Sequence, residues 1–139
     1  MDVQKVGAVY QQLNKSSLHL LSDIYHQEVV FEDAAHRLEG WDALRSYFES
    51  LYANVKRCEF TIQDHQQTGD SGFLTWQMAL EHPKLSKGSV IYVNGVSHLK
   101  FSQGRVIYHR DYFDLGEMLY ENLPLLGSVI KTIKQRLGQ

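Results

Sequence analysis

An α+β domain is what this chain predicts, because helical periodicity dominates its first third, strand alternation its middle, and a helix-capping motif follows. Leu44, Tyr47, Phe48 and Leu51 recur at steps of three and four, which traces one face of a helix. Leu74, Trp76, Met78 and Leu80 recur at steps of two, which traces one face of a strand. Asp114-Leu-Gly-Glu117 has the form of a capping box. Consecutive antiparallel strands with helices packed on one face make such a domain.

In chain order, Val3, Val6, Tyr10 and Leu13 predict a first helix over about residues 3 to 13, with Asp2 as its N-cap. Ser16 and Ser17 suit the start of a second, shorter helix that buries Leu18, Leu21, Ile24 and Tyr25 and ends near His26. Val29, Val30 and Phe31 predict a short strand that delivers Asp33 to its end. Gly40 breaks the chain before a helix over about 41 to 53. Cys58, Phe60 and Ile62 open the alternating region, and 68–72 is dense in turn formers. Strands over 73–81, 89–101 and 105–114 follow, the last two joined by a three-residue loop, Ser102-Gln103-Gly104. That loop pairs Phe101 with Arg105 and hence Ser97 with His109. Pro124 interrupts the C-terminal helical region, and residues 126–137 form an amphipathic helix expected to dock on the sheet or on a second subunit.

The 139 residues suit one domain, residues 1–139. Fourteen Lys and Arg against 16 Asp and Glu give a net charge of -2 and no basic stripe, which argues against nucleic acid as a partner. One cysteine, Cys58, excludes an intrachain disulfide and fits a reducing compartment. No apolar signal core opens the chain and no run approaches the ~20 residues of a bilayer span, so a cytoplasmic protein that avoids membranes is expected.

The most informative stretch is Gly104-Arg-Val-Ile-Tyr-His-Arg-Asp-Tyr-Phe-Asp114. Alternation puts Ile107, His109, Asp111 and Phe113 on one face and Val106, Tyr108, Arg110 and Tyr112 on the other. A carboxylate among apolar neighbours must be protonated, paired or hydrogen-bonded. Asp111 therefore reads either as a general acid or base, with His109 orienting it or relaying its proton, or as a carboxylate satisfied by His109, Arg110 or backbone. Trp76, Met78, Phe113 and Trp41 are pocket-wall candidates that read equally as core. Tyr10, Tyr52 and Tyr92 carry hydroxyls suited to a developing oxyanion, against the plainer reading of core tyrosines. His98, His109 and Asp111 have the composition of a metal site. The expected register sets His98 on the face opposite His109, so no metal and no cofactor is expected.

The run Tyr25-His-Gln-Glu-Val-Val-Phe-Glu-Asp33, with Leu38-Glu-Gly-Trp-Asp-Ala-Leu-Arg-Ser-Tyr-Phe48 and the final strand, resembles the nuclear transport factor 2-like superfamily. The ending is similar to that of its SnoaL-like polyketide-cyclase, ketosteroid-isomerase and limonene-epoxide-hydrolase-related branches. The resemblance implies a cone of bent antiparallel sheet wrapped around N-terminal helices, with a C-terminal helix, an apolar pocket in the mouth and usually a homodimer. It also implies that Asp33 stands where steroid isomerases carry their base, and Asp111 where hydrolases and cyclases carry an acid/base aspartate. Two departures matter. Ser97 stands where the isomerases place an oxyanion-binding aspartate, and Thr75-Trp-Gln-Met-Ala79 lacks the Arg-x-Asp of the epoxide hydrolases.

The expected function is binding of a small, mostly apolar molecule, with Asp111, His109 and Asp33 catalysing isomerisation, cyclisation or hydration, and Trp76, Tyr10, Phe113, Met78, Ser97 and Trp41 contacting the ligand. The alternative is a non-catalytic binding or dimerisation module of the same fold. In either case the homodimer is expected to form through the outer sheet face of Tyr108, Arg110 and Tyr112.

Overall fold

The computed structural model describes residues 1–138. Helix α1 (Val3–Gln11) is followed by a 3-10 segment (Leu18–Asp23), strands β1 (Tyr25–Glu32) and β2 (Arg37–Glu39), and helix α2 (Trp41–Asn54). Strands β3 (Arg57–Thr68), β4 (Ser71–Glu81), β5 (Ile91–Ser102) and β6 (Arg105–Phe113) then run as a meander, before helices α3 (Leu115–Met118) and α4 (Pro124–Leu137). One six-stranded sheet results, in the order β2-β1-β6-β5-β4-β3. The meander pairs are antiparallel, as expected, while β1 lies parallel to β6 and makes the sheet mixed. Among the described residues no helix is long and apolar enough to cross a membrane.

Local chemistry accounts for most of these elements. Asp2 caps α1 through its Oδ1, which accepts the Lys5 N–H at 2.9 Å, and the Val3, Val6 and Tyr10 face is buried. The Gln11 and Gln67 side chains bond the backbone N–H groups of Ile62 and Val3, each at 2.9 Å, and tie α1 to β3. Ser17 does not cap its helix; its hydroxyl bonds the Gln12 carbonyl instead, and the segment tightens to a 3-10 turn. Tyr25 thereby moves from the expected helix into β1, and the short β2 adds a strand that three residues of sequence did not signal. Pro124 starts α4 at its first turn, where a missing N–H costs nothing. Helix α4 packs on the Tyr120–Asn122 turn and leaves Val129, Ile133 and Leu137 exposed.

The β5–β6 hairpin departs from its expected turn. Only Gln103 and Gly104 lie outside the ladder, both with positive φ (54° and 75°), and Ser102 pairs with Arg105. Two left-handed residues make the turn whose twist matches that of the strands. A bulge at Ile107 then shifts the pairing by one residue, so Leu99 faces His109 and Ser97 faces Asp111 rather than His109. The same bulge turns Val106 inward to full burial, where strict alternation had put it outside with Tyr108. Turn and bulge offset each other, so His98 stands across from Arg110, away from His109.

Gly95 makes room for the site. A Cβ there would fall within the Trp76 ring, so only hydrogen lets the indole lie flat across β5. Gly95→Ala is expected to destabilise the protein by about 1–3 kcal/mol in urea unfolding, through overpacking against an aromatic ring held on both sides. An unchanged unfolding midpoint would contradict this close approach.

Candidate active site

Between the inner face of β3–β6 and helix α2 lies a cavity of about 390 Å³, within the usual size range of small-molecule sites. Phe31, Tyr47, Phe48, Phe60, Trp76 and Phe113 supply much of its wall, with Tyr10 beside them in the lining. Leu85 and the segment carrying Leu115, Met118, Leu119 and Leu123 add further apolar lining from the C-terminal side. The mouth of a curved sheet is thus finished by residues from beyond its last strand. Against this apolar background, Asp111 and Tyr10 present polar groups to the cavity, and Asp33, His36, His82 and Lys84 add others.

Asp111 is the visible end of a buried file of hydrogen bonds. Trp76 Nε1–H donates to Ser97 Oγ at 2.9 Å, and the Ser97 hydroxyl donates to Asp111 Oδ1 at 2.5 Å. His109 Nε2 lies 2.6 Å from the same Oδ1. On the other side of the ring, Tyr25 Oη lies 2.7 Å from His109 Nδ1, and the Tyr10 hydroxyl meets that of Tyr25. Indole N–H can only donate and a carboxylate only accepts, which fixes the direction at that end. At the ring, Nε2–H donates to Asp111, while Nδ1 and the two tyrosine hydroxyls order their protons together along the rest of the file. Burial holds the Tyr10 and Tyr25 hydroxyls well above their usual pKa, so both stay protonated donors.

Register explains the assembly. His109 and Asp111 project from one face of β6, Ser97 sits across from Asp111 on β5, and Trp76 sits across from Gly95 on β4. Tyr25 enters from β1, its ring stacked between Trp41 (centroids 5.7 Å) and His109 (6.0 Å).

The expected site residues therefore divide. Asp111, Asp33, Trp76, Tyr10, Phe113 and Met78 line the cavity. His109 and Ser97, 1% and 5% exposed, stand behind Asp111 and not on the main cavity wall. Trp41 is likewise a buttress, packed on Tyr25. Asp33 Oδ1 accepts the N–H groups of Ala35 and His36 at 2.8 and 2.7 Å, so it shapes the turn after β1 while facing the cavity with Tyr47. Tyr52 bonds the Cys58 carbonyl, and Tyr92 is exposed on the outside of the sheet. His98 is on the outer face, stacked on Phe73, and no group of three His, Cys, Asp or Glu side chains able to hold a metal occurs among the described residues. Tyr25 is the member that sequence reasoning missed, since only pairing with β6 reveals that it faces His109.

The family model of the SnoaL-like domain matches residues 6–109. A hypothetical protein with a ketosteroid isomerase-like fold from Catenulispora acidiphila DSM 44928, solved with trimethylamine, is similar at a TM-score of 0.72 and 17% identity, over 88% of this chain and 92% of that one. An LEH-like epoxide hydrolase of M. tuberculosis superposes at 0.72 and 20% identity, over 95% of each chain. A SnoaL-like polyketide cyclase assigned in Shewanella denitrificans OS-217 gives 0.70 and 22%, over 83% and 91%. At these identities the likeness is one of fold. No curated protein matches.

The buried tyrosines give the site a pH signature. Their folded pKa values lie above the unfolded value of ~10, so their contribution to stability is complete below about pH 10 and is lost as pH rises further. The urea midpoint should fall between about pH 9 and 11, and the fall should be shallower in the Tyr10→Phe/Tyr25→Phe double variant. Equal slopes in the two proteins would contradict the protonated-donor assignment.

Proposed function

This chain belongs to the SnoaL-like domain family, and we propose that its cavity binds a small, mostly apolar molecule and acts on it by proton transfer, as an isomerase, cyclase or hydratase without a cofactor. The observation that carries this reading is Asp111: one carboxylate oxygen is held from behind by Ser97 and His109, while the side chain reaches an aromatic cavity. Asp111 exchanges the proton with the ligand. His109 is a positioning residue, because its Nε2–H fixes the carboxylate and its Nδ1 is itself fixed by Tyr25. Asp33 is the second carboxylate on the wall, and the Tyr10 hydroxyl, paired with that of Tyr25, adds a polar group to it. Epoxide hydrolase and cyclase folds among the similar structures agree with this class of chemistry.

The second reading, a binding module without turnover, is favoured by Ser97 in place of an oxyanion aspartate and by the missing Arg-x-Asp at Thr75–Ala79. Deuterium exchange at the carbon next to the carbonyl of a bicyclic enone separates the two. The wild type should accelerate it, and Asp111→Asn should lose about 10²–10⁴-fold while still binding the enone. Bound enone with no acceleration by the wild type leaves the binding module.

The proposal extends to a cytoplasmic homodimer formed through the outer sheet face, and the free, buried Cys58 is compatible with that compartment. Tyr112, Tyr92 and Phe73 are 52%, 56% and 45% exposed there. Arg110 bonds Glu32 at 3.0 Å through one terminal nitrogen, while its Nε is buried without a partner among the described residues. An orphaned donor beside exposed rings suits a face that a second copy covers. Size-exclusion chromatography at micromolar concentration should give twice the 16.1 kDa chain mass, and Tyr112→Glu should shift it to the monomer.

A further inference from the structure

Asp111 leaves one carboxylate oxygen that the protein itself does not satisfy. Its Oδ1 receives two hydrogen bonds, and its Oδ2 receives none among the described residues. That oxygen is not sealed off: among the described residues Arg110 Nε, on the outer face, is the one buried side-chain N or O atom without a partner, and the Asp111 side chain keeps 16% of its surface. No Lys or Arg among the described residues forms an ion pair with it. Its nearest basic partner, His109, meets Oδ1 and leaves Oδ2 free. The lining cation Lys84 is exposed, and solvent screens a charge placed there. A carboxylate in apolar surroundings with donors on one oxygen only has its other oxygen open to a charged donor.

The walls meet the same need by a different route. The faces of Phe, Tyr and Trp rings attract cations, and seven such residues, Tyr10 among them, line the cavity that Asp111 faces. A neutral hydrocarbon would fill that space without using the carboxylate. A protonated amine with an apolar body uses both, its N–H on Oδ2 and its alkyl substituents against the rings.

We propose that the preferred ligand of this cavity is an organic amine, bound as its ammonium form with nitrogen on Asp111 Oδ2 and an apolar body against Phe60, Trp76 and Phe113. This rests on the reading of the cavity as a small-molecule site and specifies which class it takes. Asp111 then acts as counter-ion to the ammonium, and the proton it exchanges is the one on nitrogen.

Two near-isosteric probes test this at neutral pH by calorimetric titration: N,N-dimethylphenethylamine, which is cationic, and benzylacetone, which is neutral. The wild type should bind the amine at least about tenfold tighter than the ketone, as a charge-assisted hydrogen bond implies. Asp111→Asn, checked for folding by its thermal transition, should erase that difference and leave ketone affinity within about threefold. Equal affinities, a preference for the ketone, or an amine preference that survives in Asp111→Asn each overturn the proposal while the small-molecule site stands. Failure of both probes to bind at millimolar concentration overturns the site reading along with it. The comparison within the wild type decides the matter even where the variant does not fold.

Discussion

The hydrogen bond of 2.6 Å between His109 and Asp111 is the contact around which the interior is arranged. A carboxylate and an imidazole in a hydrocarbon interior are tolerable only when their polar atoms are matched, since an unmatched buried group forfeits its hydration without return. The protein meets this by threading partners from four strands and a helix through its core: Trp76 on β4, Ser97 on β5, the pair itself on β6, Tyr25 on β1 and Tyr10 on α1. Each partner is placed by backbone pairing or by a buried helix face, so the positions of these side chains are inherited from the ladder. Nothing in the file needs a mobile loop.

The same arrangement separates two tasks. His109 and Ser97 are enclosed and hold the carboxylate still, while Asp111 alone of the three meets the cavity. Groups with locked orientation behind a reactive group reduce the reorganisation needed when charge moves in front of it. The closing residues are of another kind. Leu115, Met118, Leu119 and Leu123 come from short helical turns after β6, joined to the β4–β5 loop by a hydrogen bond between Ser86 and Asn122. The wall that carries Asp111 is therefore built on the ladder and the cover on short-range turns.

Much of this was legible in the sequence. The period-two stretch around His109 and Asp111 showed that an acid and its histidine neighbour share the inner face, and the helix stripes of α1 and α2 were read almost to the residue. The turn at Gln103-Gly104 was not, because a three-residue loop with terminal glycine and a two-residue turn followed by a bulge give the same side-chain parity beyond Ile107. The conclusion about His98 survived a wrong premise for that reason. Tyr25 was illegible for a different cause: its partner lies 84 positions away, and no local pattern marks a hydroxyl that becomes polar glue only when β1 adds in parallel beside β6.

The bulge at Ile107 has a consequence for how this hairpin can vary over descent. Turn length and bulge act like two sign changes in one product, so either altered alone swaps the greasy and wet sides of half a strand and throws the imidazole into solvent. Insertions at the tip are thus admissible only in even steps or with a compensating deletion at the kink. The hairpin's freedom to change length is governed by arithmetic set three residues past Gly104, at the acid's own strand.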